Sequence, residues 1–365
     1  MATFYQKINL FRGLMSGDTA YTGPFHVNID LTSNCNLHCP GCQYHSPYIN
    51  IPSQGNQTTK DIPLDFFKRL CRELKQMGTN SILLMGEGEP FLHPRLYDII
   101  YAAKETGSKV TLLTNGTLLN ENTPHSLINS GLDILRVSLW STSREEYEQT
   151  YPQSNPNNFN KIIDGMKFLS QFKGKQKIKS PSLIVHYPIN RYNFKRIEAL
   201  TDLAIITGCD GVSFSAFATR WGKLSSFTLS AEEEIFVSLT LKKVKERLNS
   251  VSLFHNIDEI LLRYKIGEAV WKKLPCYIGW FSAHIKADGT VMPCCRCDLP
   301  MGNLKKESLH EIWNNNAYAT FRRKAITRAG LLALGEDCDC GFCSAVNDNV
   351  RIHRLLKWVK PFADN

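Results

Sequence analysis

Three cysteines within one short stretch offer the clearest chemistry in this sequence. Cys35, Cys39 and Cys42 follow an apolar run, residues 26–31, that predicts a β-strand, so three thiols gather in a loop at the strand's carboxyl end. An iron-sulfur cube takes four ligands, and a cube on three thiolates keeps an open iron that a small molecule can chelate. A zinc knuckle would instead recruit a fourth ligand, and two histidines lie close by. The triplet by itself leaves both metals open.

A glycine-rich acidic turn follows the next predicted strand, residues 81–85. Its glycines expose backbone amides and its carboxylates can bind the ammonium group of a ligand, while the proline fixes the turn. We therefore predict a ligand contact made by Gly86, Glu87, Gly88, Glu89 and Pro90.

Polar residues end the third and fourth predicted strands, residues 109–114 and 134–139. Thr114 and Asn115 lie at the first of these ends, and Ser138 lies at the second. Taken singly, an Asn-Gly turn and a strand serine are common structural features. Their order on successive strand ends favours a shared binding role.

Seven of the twelve cysteines lie beyond residue 270. Residues 285–293 predict a hairpin with an Asp-Gly turn, and this hairpin brings Cys294 back toward Cys276. Two C-x2-C pairs, at 294–297 and 340–343, also match the spacing of a zinc ribbon. The full set is Cys276, Cys294, Cys295, Cys297, Cys338, Cys340 and Cys343.

Composition and charge narrow the class of protein. Of 365 residues, 43% are hydrophobic and 21% charged, as in ordinary globular proteins. The net charge is +9, but 34 acidic residues are interspersed among 43 basic ones, so we expect no nucleic-acid partner. No segment resembles a signal peptide or a transmembrane span, which predicts a cytoplasmic protein. Twelve cysteines in that compartment indicate a role other than disulfides.

Short β-rich runs alternate with helical patterns over the first 220 residues, which predicts an α/β fold of parallel βα units. Strands are predicted at residues 26–31, 81–85, 109–114, 134–139, 183–187 and 211–215. Six units fall short of the eight that close a full barrel. We expect an amino-terminal segment at 1–25, the βα core at 26–220, a helical linker at 221–270, a cysteine-rich unit at 271–345 and a basic tail at 346–365.

The C-x3-C-x2-C spacing behind an opening strand resembles the signature of the radical S-adenosylmethionine (SAM) superfamily. The resemblance implies a partial (β/α)6 TIM-like barrel whose three cysteines hold a 4Fe-4S cluster, with SAM chelating the open iron. Gly88, Glu89 and Pro90 are similar to the Gly-Gly-Glu-Pro motif that holds the SAM amino group, with Glu87 in place of the first glycine. The polar ends of the third and fourth strands would contact the ribose and methionyl part of SAM.

One position departs from the family pattern. An aromatic residue commonly precedes the third cysteine and packs near the adenine of SAM, whereas this chain has Gly41 there. Tyr44, two residues beyond Cys42, is our candidate for the same contact.

The carboxyl-terminal cysteines resemble the SPASM or twitch extension of the same superfamily, because Gly289-x4-Cys294 follows Cys276. The resemblance implies one auxiliary 4Fe-4S cluster, since two would need eight thiolates where seven are present. Our ligand set is Cys276, Cys294, Cys340 and Cys343. Three thiols remain as spare residues, alternative ligands or reactive groups, namely Cys295, Cys297 and Cys338.

The resemblance also implies an activity. Such enzymes cleave SAM reductively and use the 5'-deoxyadenosyl radical to abstract hydrogen from an unactivated C–H bond. Transfer of an electron to the auxiliary cluster would give dehydrogenation, with Asp298 or Tyr277 as candidate bases, whereas hydrogen return from a thiol would give epimerisation. An external donor such as flavodoxin or ferredoxin would supply the first electron.

The expected substrate class depends on the segment before the first strand. Barely 25 residues precede it, too few for the peptide-recognition domain of many relatives, so we expect a small molecule such as a sugar, aminocyclitol or natural-product intermediate. A peptide or protein side chain is the alternative. A zinc-stabilised nucleic-acid-binding protein is the non-enzymatic alternative, and it predicts zinc, no SAM affinity and salt-sensitive binding.

Overall fold

The computed structural model describes residues 3–48, 61–217, 223–267, 274–340, 343 and 345–356. The predicted domain boundaries at residues 220 and 270 lie outside the described residues, as does the predicted tail beyond residue 356. None of the helices in the described part of the chain is long and apolar enough to cross a membrane.

One sheet organises the fold. Its strands are β1 (His26–Asp30), β2 (Ser81–Met85), β3 (Lys109–Thr114), β4 (Ile134–Ser138), β5 (Ser182–Ile189), β6 (Gly211–Ala216), β7 (Phe254–His255), β8 (Ser282–Ile285), β9 (Thr290–Met292) and β10 (Gly302–Asn303). Their order across the described sheet is β10-β9-β8-β1-β2-β3-β4-β5-β6-β7. Strands β1 to β6 are the predicted six, and their parallel pairing confirms the predicted α/β fold.

Helices connect the parallel strands and cover the outer face of the sheet. In the described residues they are α1 (Phe4–Ser16), α2 (Leu64–Gln76), α3 (Leu96–Lys104), α4 (Thr123–Asn129), α5 (Arg144–Thr150), α6 (Asn158–Gln176), α7 (Ile197–Ile206), α8 (Ala231–Ser250), α9 (Ile257–Ile266), α10 (Leu309–Trp313), α11 (Asn316–Ala325), α12 (Arg328–Ala333) and α13 (Val346–Leu356). The acidic start predicted near residue 232 opens α8, where Ser230 and Glu233 form a capping box.

Strands β2, β3 and β4 bury one face against the helices and turn the other toward the barrel interior. In β4, Leu135 and Val137 are fully buried, whereas Ile134, Arg136 and Ser138 are half-buried. Strands β2 and β3 show the same alternation. The side chains that face the interior therefore remain accessible to a ligand.

Two parts of the chain differ from the sequence prediction. The segment before β1 contains helix α1, which we did not predict although Thr3 and Gln6 form a capping box at its start. The predicted helical linker is interrupted because the two-residue strand β7 separates α8 from α9 and pairs with β6. Two residues carry no periodicity by which a strand can be recognised.

The cysteine-rich part joins the barrel through the same sheet. Strand β8 pairs in parallel with β1, with Ile285 beside Ile29. The Nε2 atom of His284 lies 2.9 Å from a carboxylate oxygen of Asp30, and both side chains are buried. A carboxylate removed from water needs such a partner because its desolvation is costly. The pair therefore stabilises the junction between the two parts.

Contacts with the segment before β1 fix the cysteine-rich part from a second side. The indole Nε1–H of Trp280 donates to the carbonyl of Thr19 at 3.0 Å, and that of Trp313 donates to the carbonyl of Thr22 at 2.8 Å. Both indoles are buried. The segment before β1 and the cysteine-rich part thus pack together.

Replacing His284 with Ala should lower the free energy of unfolding by about 3 kcal/mol, because the buried carboxylate of Asp30 loses its partner. Urea denaturation of the anaerobically prepared full chain measures the change. His310→Ala, at an exposed position of α10, is the control. Equal denaturation midpoints for the two variants would contradict the stabilising role of the pair, since surface substitutions change stability by about 0.5 kcal/mol or less.

Candidate active site

The cysteine loop begins where β1 ends and is shaped by its own hydrogen bonds. The amide of Cys42 donates to the carbonyl of Cys39 at 3.0 Å. The Cys42 sulfur in turn accepts the amides of Tyr44 and His45 at 3.3 and 3.4 Å. Amides directed at a sulfur stabilise a thiolate, and they tune the iron-sulfur clusters that thiolates hold.

The three thiols of the loop influence one another electrostatically. Burial raises the pKa of Cys35 to about 11, and the charges of Glu89 and Cys42 add to this rise. Burial, followed by the charges of Cys42 and Cys35, raises the pKa of Cys39 well above its ordinary value. As thiolates, the three sulfurs would repel one another. The positive charge of an iron-sulfur core would offset this repulsion, so the three thiols suit a cluster site.

The glycine-rich turn after β2 packs directly on the cysteine loop. The amide of Gly88 donates to the carbonyl of Thr32 at 2.9 Å, and the amide of Glu89 donates to the carbonyl of Asn34 at 2.7 Å. A Cβ atom on Gly88 would lie 1.9 Å from the Asn34 oxygen, which no side chain allows. Glycine is therefore required at residue 88 for the turn and the loop to meet.

Glu89 joins the turn to the end of β3. Its buried carboxylate accepts the Thr114 hydroxyl at 2.6 Å, the Asn115 amide at 2.7 Å and the Phe91 amide at 3.1 Å. A carboxylate has about four acceptor positions, so a fourth donor can still bind. The predicted contact with a ligand's ammonium group is compatible with this geometry, whereas the Thr114 hydroxyl is already committed to Glu89.

Glu87, predicted to contact the ligand, lies against a cation from the other part of the chain. Its carboxylate is 3.0 Å from the Nζ atom of Lys286, which follows β8. The charges of Glu87 and Asp30 raise the pKa of Lys286 against the opposing effect of burial. Sequence reasoning missed this pair because the two residues are far apart in the chain and only the β1–β8 pairing brings them together.

Asn115 and Ser138 occupy the strand ends that the sequence predicted. The side-chain amide of Asn115 donates to the Asn36 side chain at 2.9 Å, which ties β3 to the cysteine loop. Ser138 lies beside His186 in the β4–β5 register and is half-buried. The structure thus brings the loop, the turn and both polar strand ends to one edge of the barrel.

Two aromatic residues, Trp140 and Phe217, lie close to the cysteine loop at Gly41, where the loop itself has no aromatic side chain. A Cβ atom on Gly41 would lie 2.4 Å from the ring of Phe217 and 2.5 Å from the ring of Trp140, so glycine is required here. The two rings meet edge to face with centroids 6.0 Å apart. Sequence reasoning missed both rings, although Trp140 directly follows the fourth predicted strand and Phe217 lies two residues beyond the sixth. The adenine contact assigned to Tyr44 stays a prediction.

A cleft of about 500 Å³ opens beside the cysteine loop. Trp140, Tyr192 and Phe227 line one side, and Pro40 and Tyr48 of the loop region line another. Tyr48 and Tyr192 are 65% and 69% exposed. Exposed aromatic side chains around a concave surface are typical of a ligand-binding site.

The four predicted auxiliary ligands belong to the cysteine-rich part, where their thiols influence one another electrostatically. Burial raises the pKa of Cys276, and the thiols of Cys343 and Cys340 raise it further. Burial also raises the pKa of Cys294. The charges of Cys295, Cys276 and Cys340 raise it further. Five thiols therefore share one region, and Cys295 remains an alternative ligand.

The two other cysteines of this part behave differently from the expectation. Cys297 and Cys338 form a disulfide, next to an antiparallel bridge between their backbones. The prediction that no cysteine serves a disulfide is therefore wrong for this pair. The two cysteines are 41 residues apart in the sequence, so no local spacing indicated that they would meet in the folded chain.

The two candidate bases lie in the cysteine-rich part as well. The hydroxyl of Tyr277 is 3.1 Å from the Nδ1 atom of His353 on α13, and burial raises the pKa of Tyr277 to about 12. Asp298 is half-buried, and its amide donates to the carbonyl of Asp337 at 2.8 Å. Both catalytic assignments stay predictions.

Comparison with known proteins gives two family matches. Residues 29–204 match the model of the radical SAM superfamily, and residues 276–341 match the SPASM model, described as an iron-sulfur cluster-binding domain. The first match contains the cysteine loop, the glycine-rich turn and both polar strand ends. The second begins at Cys276 and includes Cys294 and Cys340.

Individual proteins are similar over most of the chain. The tungsten-containing aldehyde ferredoxin oxidoreductase cofactor-modifying protein of Pyrococcus furiosus is 23% identical over 349 residues, covering 86% of both chains. The PqqA peptide cyclase of Streptomyces rochei is 22% identical over 305 residues, covering 81% of this chain and 77% of the relative. Streptococcus suis SuiB bound to the precursor peptide SuiA superimposes with a TM-score of 0.65 at 16% identity, covering 93% of this chain and 75% of SuiB.

The family matches identify the cofactors. A radical SAM domain binds a 4Fe-4S cluster and SAM, and a SPASM domain binds auxiliary iron-sulfur clusters. The zinc-stabilised alternative is therefore set aside, and the chain belongs to the radical SAM superfamily, with a SPASM domain at its carboxyl-terminal end.

Proposed function

We propose that this radical SAM enzyme is an oxidoreductase that abstracts hydrogen from a peptide substrate. The observation that carries the proposal is the aromatic cleft of about 500 Å³ beside the cysteine loop. When bound, the cluster and SAM supply a 5'-deoxyadenosyl radical, so the protein's task is to orient the reacting groups and exclude water.

Cys35, Cys39 and Cys42 would hold the first cluster. The sulfur of Cys42 already accepts two backbone amides, and such hydrogen bonds are one means by which a protein adjusts a thiolate-bound cluster. We keep the predicted domain boundaries as part of the proposal, with the barrel core at residues 26–220 and the auxiliary domain at 271–345.

The glycine-rich turn and the polar strand ends would hold SAM. Gly86 and Gly88 allow the backbone to approach the loop, and Glu89 retains acceptor capacity for an ammonium group. Asn115 and Ser138 present polar groups at the same edge of the barrel. Trp140 and Phe217, rather than Tyr44 alone, provide an aromatic environment next to the loop.

Cys276, Cys294, Cys340 and Cys343 would hold the auxiliary cluster. Cys295 is an alternative ligand because its thiol acts electrostatically on Cys294 and Cys343. Dehydrogenation needs a proton acceptor near the substrate, and Tyr277 and Asp298 remain our candidates. Epimerisation would instead need a thiol that donates a hydrogen atom.

A peptide replaces the small molecule that the sequence favoured. The small-molecule expectation depended only on the length of the segment before β1. A relative is named for cyclising the peptide PqqA, and SuiB is seen with a precursor peptide. Exposed Tyr48 and Tyr192 give the cleft the aromatic rim that suits peptide side chains. The cofactor-modifying relative keeps a small molecule as the second candidate.

An external protein would supply electrons. A net charge of +9 favours an acidic donor such as flavodoxin or ferredoxin, since opposite charges steer association. Thiolate-ligated clusters are best preserved in a reducing compartment, which is why we place the enzyme in the cytoplasm.

Replacing Cys35, Cys39 and Cys42 together with Ala should abolish cleavage of SAM to 5'-deoxyadenosine. Iron should fall from about eight to about four atoms per chain, because each cube brings four. Anaerobic iron analysis and chromatography of the nucleoside measure both quantities. Cys71→Ala, at a buried position on α2, should keep both. Surviving cleavage in the triple variant, or zinc in place of iron, would contradict the assignment.

Gly88→Ala should weaken SAM binding by about tenfold or more, because the added Cβ forces the turn away from the cysteine loop and overpacking costs about 1–3 kcal/mol. Equilibrium dialysis with labelled SAM on the reconstituted enzyme measures the affinity. Gly174→Ala is the matched control, since no atom lies within 4 Å of its added Cβ. Equal affinities in the two variants would show that the turn does not hold SAM.

The substrate class can be tested by deuterium transfer. A peptide fraction from perdeuterated cells of the source organism should yield deuterated 5'-deoxyadenosine when incubated with the reduced enzyme and SAM. Digestion of that fraction to free amino acids beforehand should remove the label. Mass spectrometry of the nucleoside measures the transfer. Equal labelling from the digested fraction would favour the small-molecule candidate instead.

A further inference from the structure

The barrel interior contains an arginine that the proposed chemistry does not use. Arg136 lies in the middle of β4, on the half-buried interior face between Ile134 and Ser138. Its neighbours in register are Leu113 on β3 and Ile184 on β5, both apolar. These two neighbours bring no counter-charge to the guanidinium, which stays charged in a protein.

Arg136 lacks a close partner within the described structure. Its Nε–H group is buried and donates to no acceptor among the described residues, and no ion pair to Arg136 is found there. The one attraction that reaches it comes from Glu259 on α9, whose carboxylate is 3.3 Å from Arg351. Burial lowers the pKa of Arg136, which reflects a cation whose desolvation is only weakly offset.

The polar residues above Arg136 do not neutralise it. His186 lies one row closer to the strand ends, where its Nδ1 atom is 3.2 Å from the Ser213 hydroxyl and its Nε2 atom is 3.3 Å from the Ser215 hydroxyl. Burial and the charge of Arg136 lower the pKa of His186 to about 3, so the imidazole is neutral. The two serines and the histidine therefore hydrogen-bond with one another and not with Arg136. The guanidinium remains available to a ligand.

We propose that Arg136 is a binding subsite for a carboxylate group of the substrate. The proposal deepens the proposed function, on which it rests, by adding a chemical requirement to the substrate. A planar guanidinium binds a carboxylate through two parallel N–H donors, and the strength of such pairs rises where water is excluded. An acidic side chain or a chain terminus of a peptide carries the required group.

The position of Arg136 relative to the cleft suits this role. Trp140, which lines the cleft, Ser138 and Arg136 lie at alternate positions along β4 and its extension, and therefore on one face. Four residues of strand span about 13 Å, so an extended segment of about four substrate residues would reach from the cleft to Arg136. Ser138, between them, is our predicted SAM contact.

The local charge favours a carboxylate over a phosphate group. Leu113 and Ile184, the neighbours of Arg136 in its row, bring no second cation to it. Lys286, which follows β8, is paired with Glu87. A single guanidinium balances the single charge of a carboxylate, whereas a phosphate dianion would require more donors than this row provides.

Nuclear magnetic resonance of arginine side chains tests the proposal without SAM cleavage. The full chain, reconstituted anaerobically with its clusters and labelled with ¹⁵N-arginine, is titrated with propionate, with the neutral isostere propionamide and with inorganic phosphate. Arg136→Gln identifies the Nε–H signal of Arg136. Arg95→Gln, which removes an exposed arginine whose Nε is 2.7 Å from Asp98, is the matched control.

The expected result is a saturable shift of the Arg136 Nε–H signal with propionate and none with propionamide. The control variant should keep this response. Arg136→Lys, which retains charge but not the planar fork, should bind propionate about tenfold more weakly, measured as line shifts of neighbouring amides. An unmoved Arg136 signal, an equal response to propionamide, or a response to phosphate alone would overturn the assignment. Absence of SAM cleavage would overturn the proposed function and leave this binding result intact.

Discussion

Strand β1 holds the barrel and the cysteine-rich part in one sheet. It pairs with β2 on one side and with β8 on the other, so the barrel and the cysteine-rich part share its backbone hydrogen bonds. Its last residue, Asp30, lies against buried His284, and its carboxyl end opens directly into the cysteine loop. The position of the first cluster site relative to the auxiliary site therefore depends on this strand and on the buried pair beside it.

The active-site edge is built by close backbone approach rather than by long side chains. Gly88 meets Asn34 at a distance that excludes a Cβ atom, and Gly41 meets two aromatic rings in the same way. Glu89 holds the turn in place by accepting three hydrogen bonds, from Thr114 and Asn115 at the end of β3 and from Phe91 in its own turn. Loops that carry chemistry gain order when rigid strands supply such contacts.

Much of this arrangement follows from the sequence, and the remainder depends on contacts between distant residues. Periodicity and spacing predicted the six strands and the cysteine groups because these signals are local. The Glu87–Lys286 pair and the Cys297–Cys338 disulfide join positions that only the folded sheet brings together. Arg136 was overlooked because a single arginine within a strand matches no sequence motif. Only the structure shows that no anion lies close to it among the described residues.

The most direct test of the central claim is electron paramagnetic resonance of the anaerobically reduced full chain, recorded without and with SAM. We expect two reduced 4Fe-4S signals, of which SAM changes one, and we expect the SAM-sensitive signal to be absent when Cys35, Cys39 and Cys42 are replaced. Two signals that are both indifferent to SAM, or a SAM-sensitive signal that survives those replacements, would contradict it.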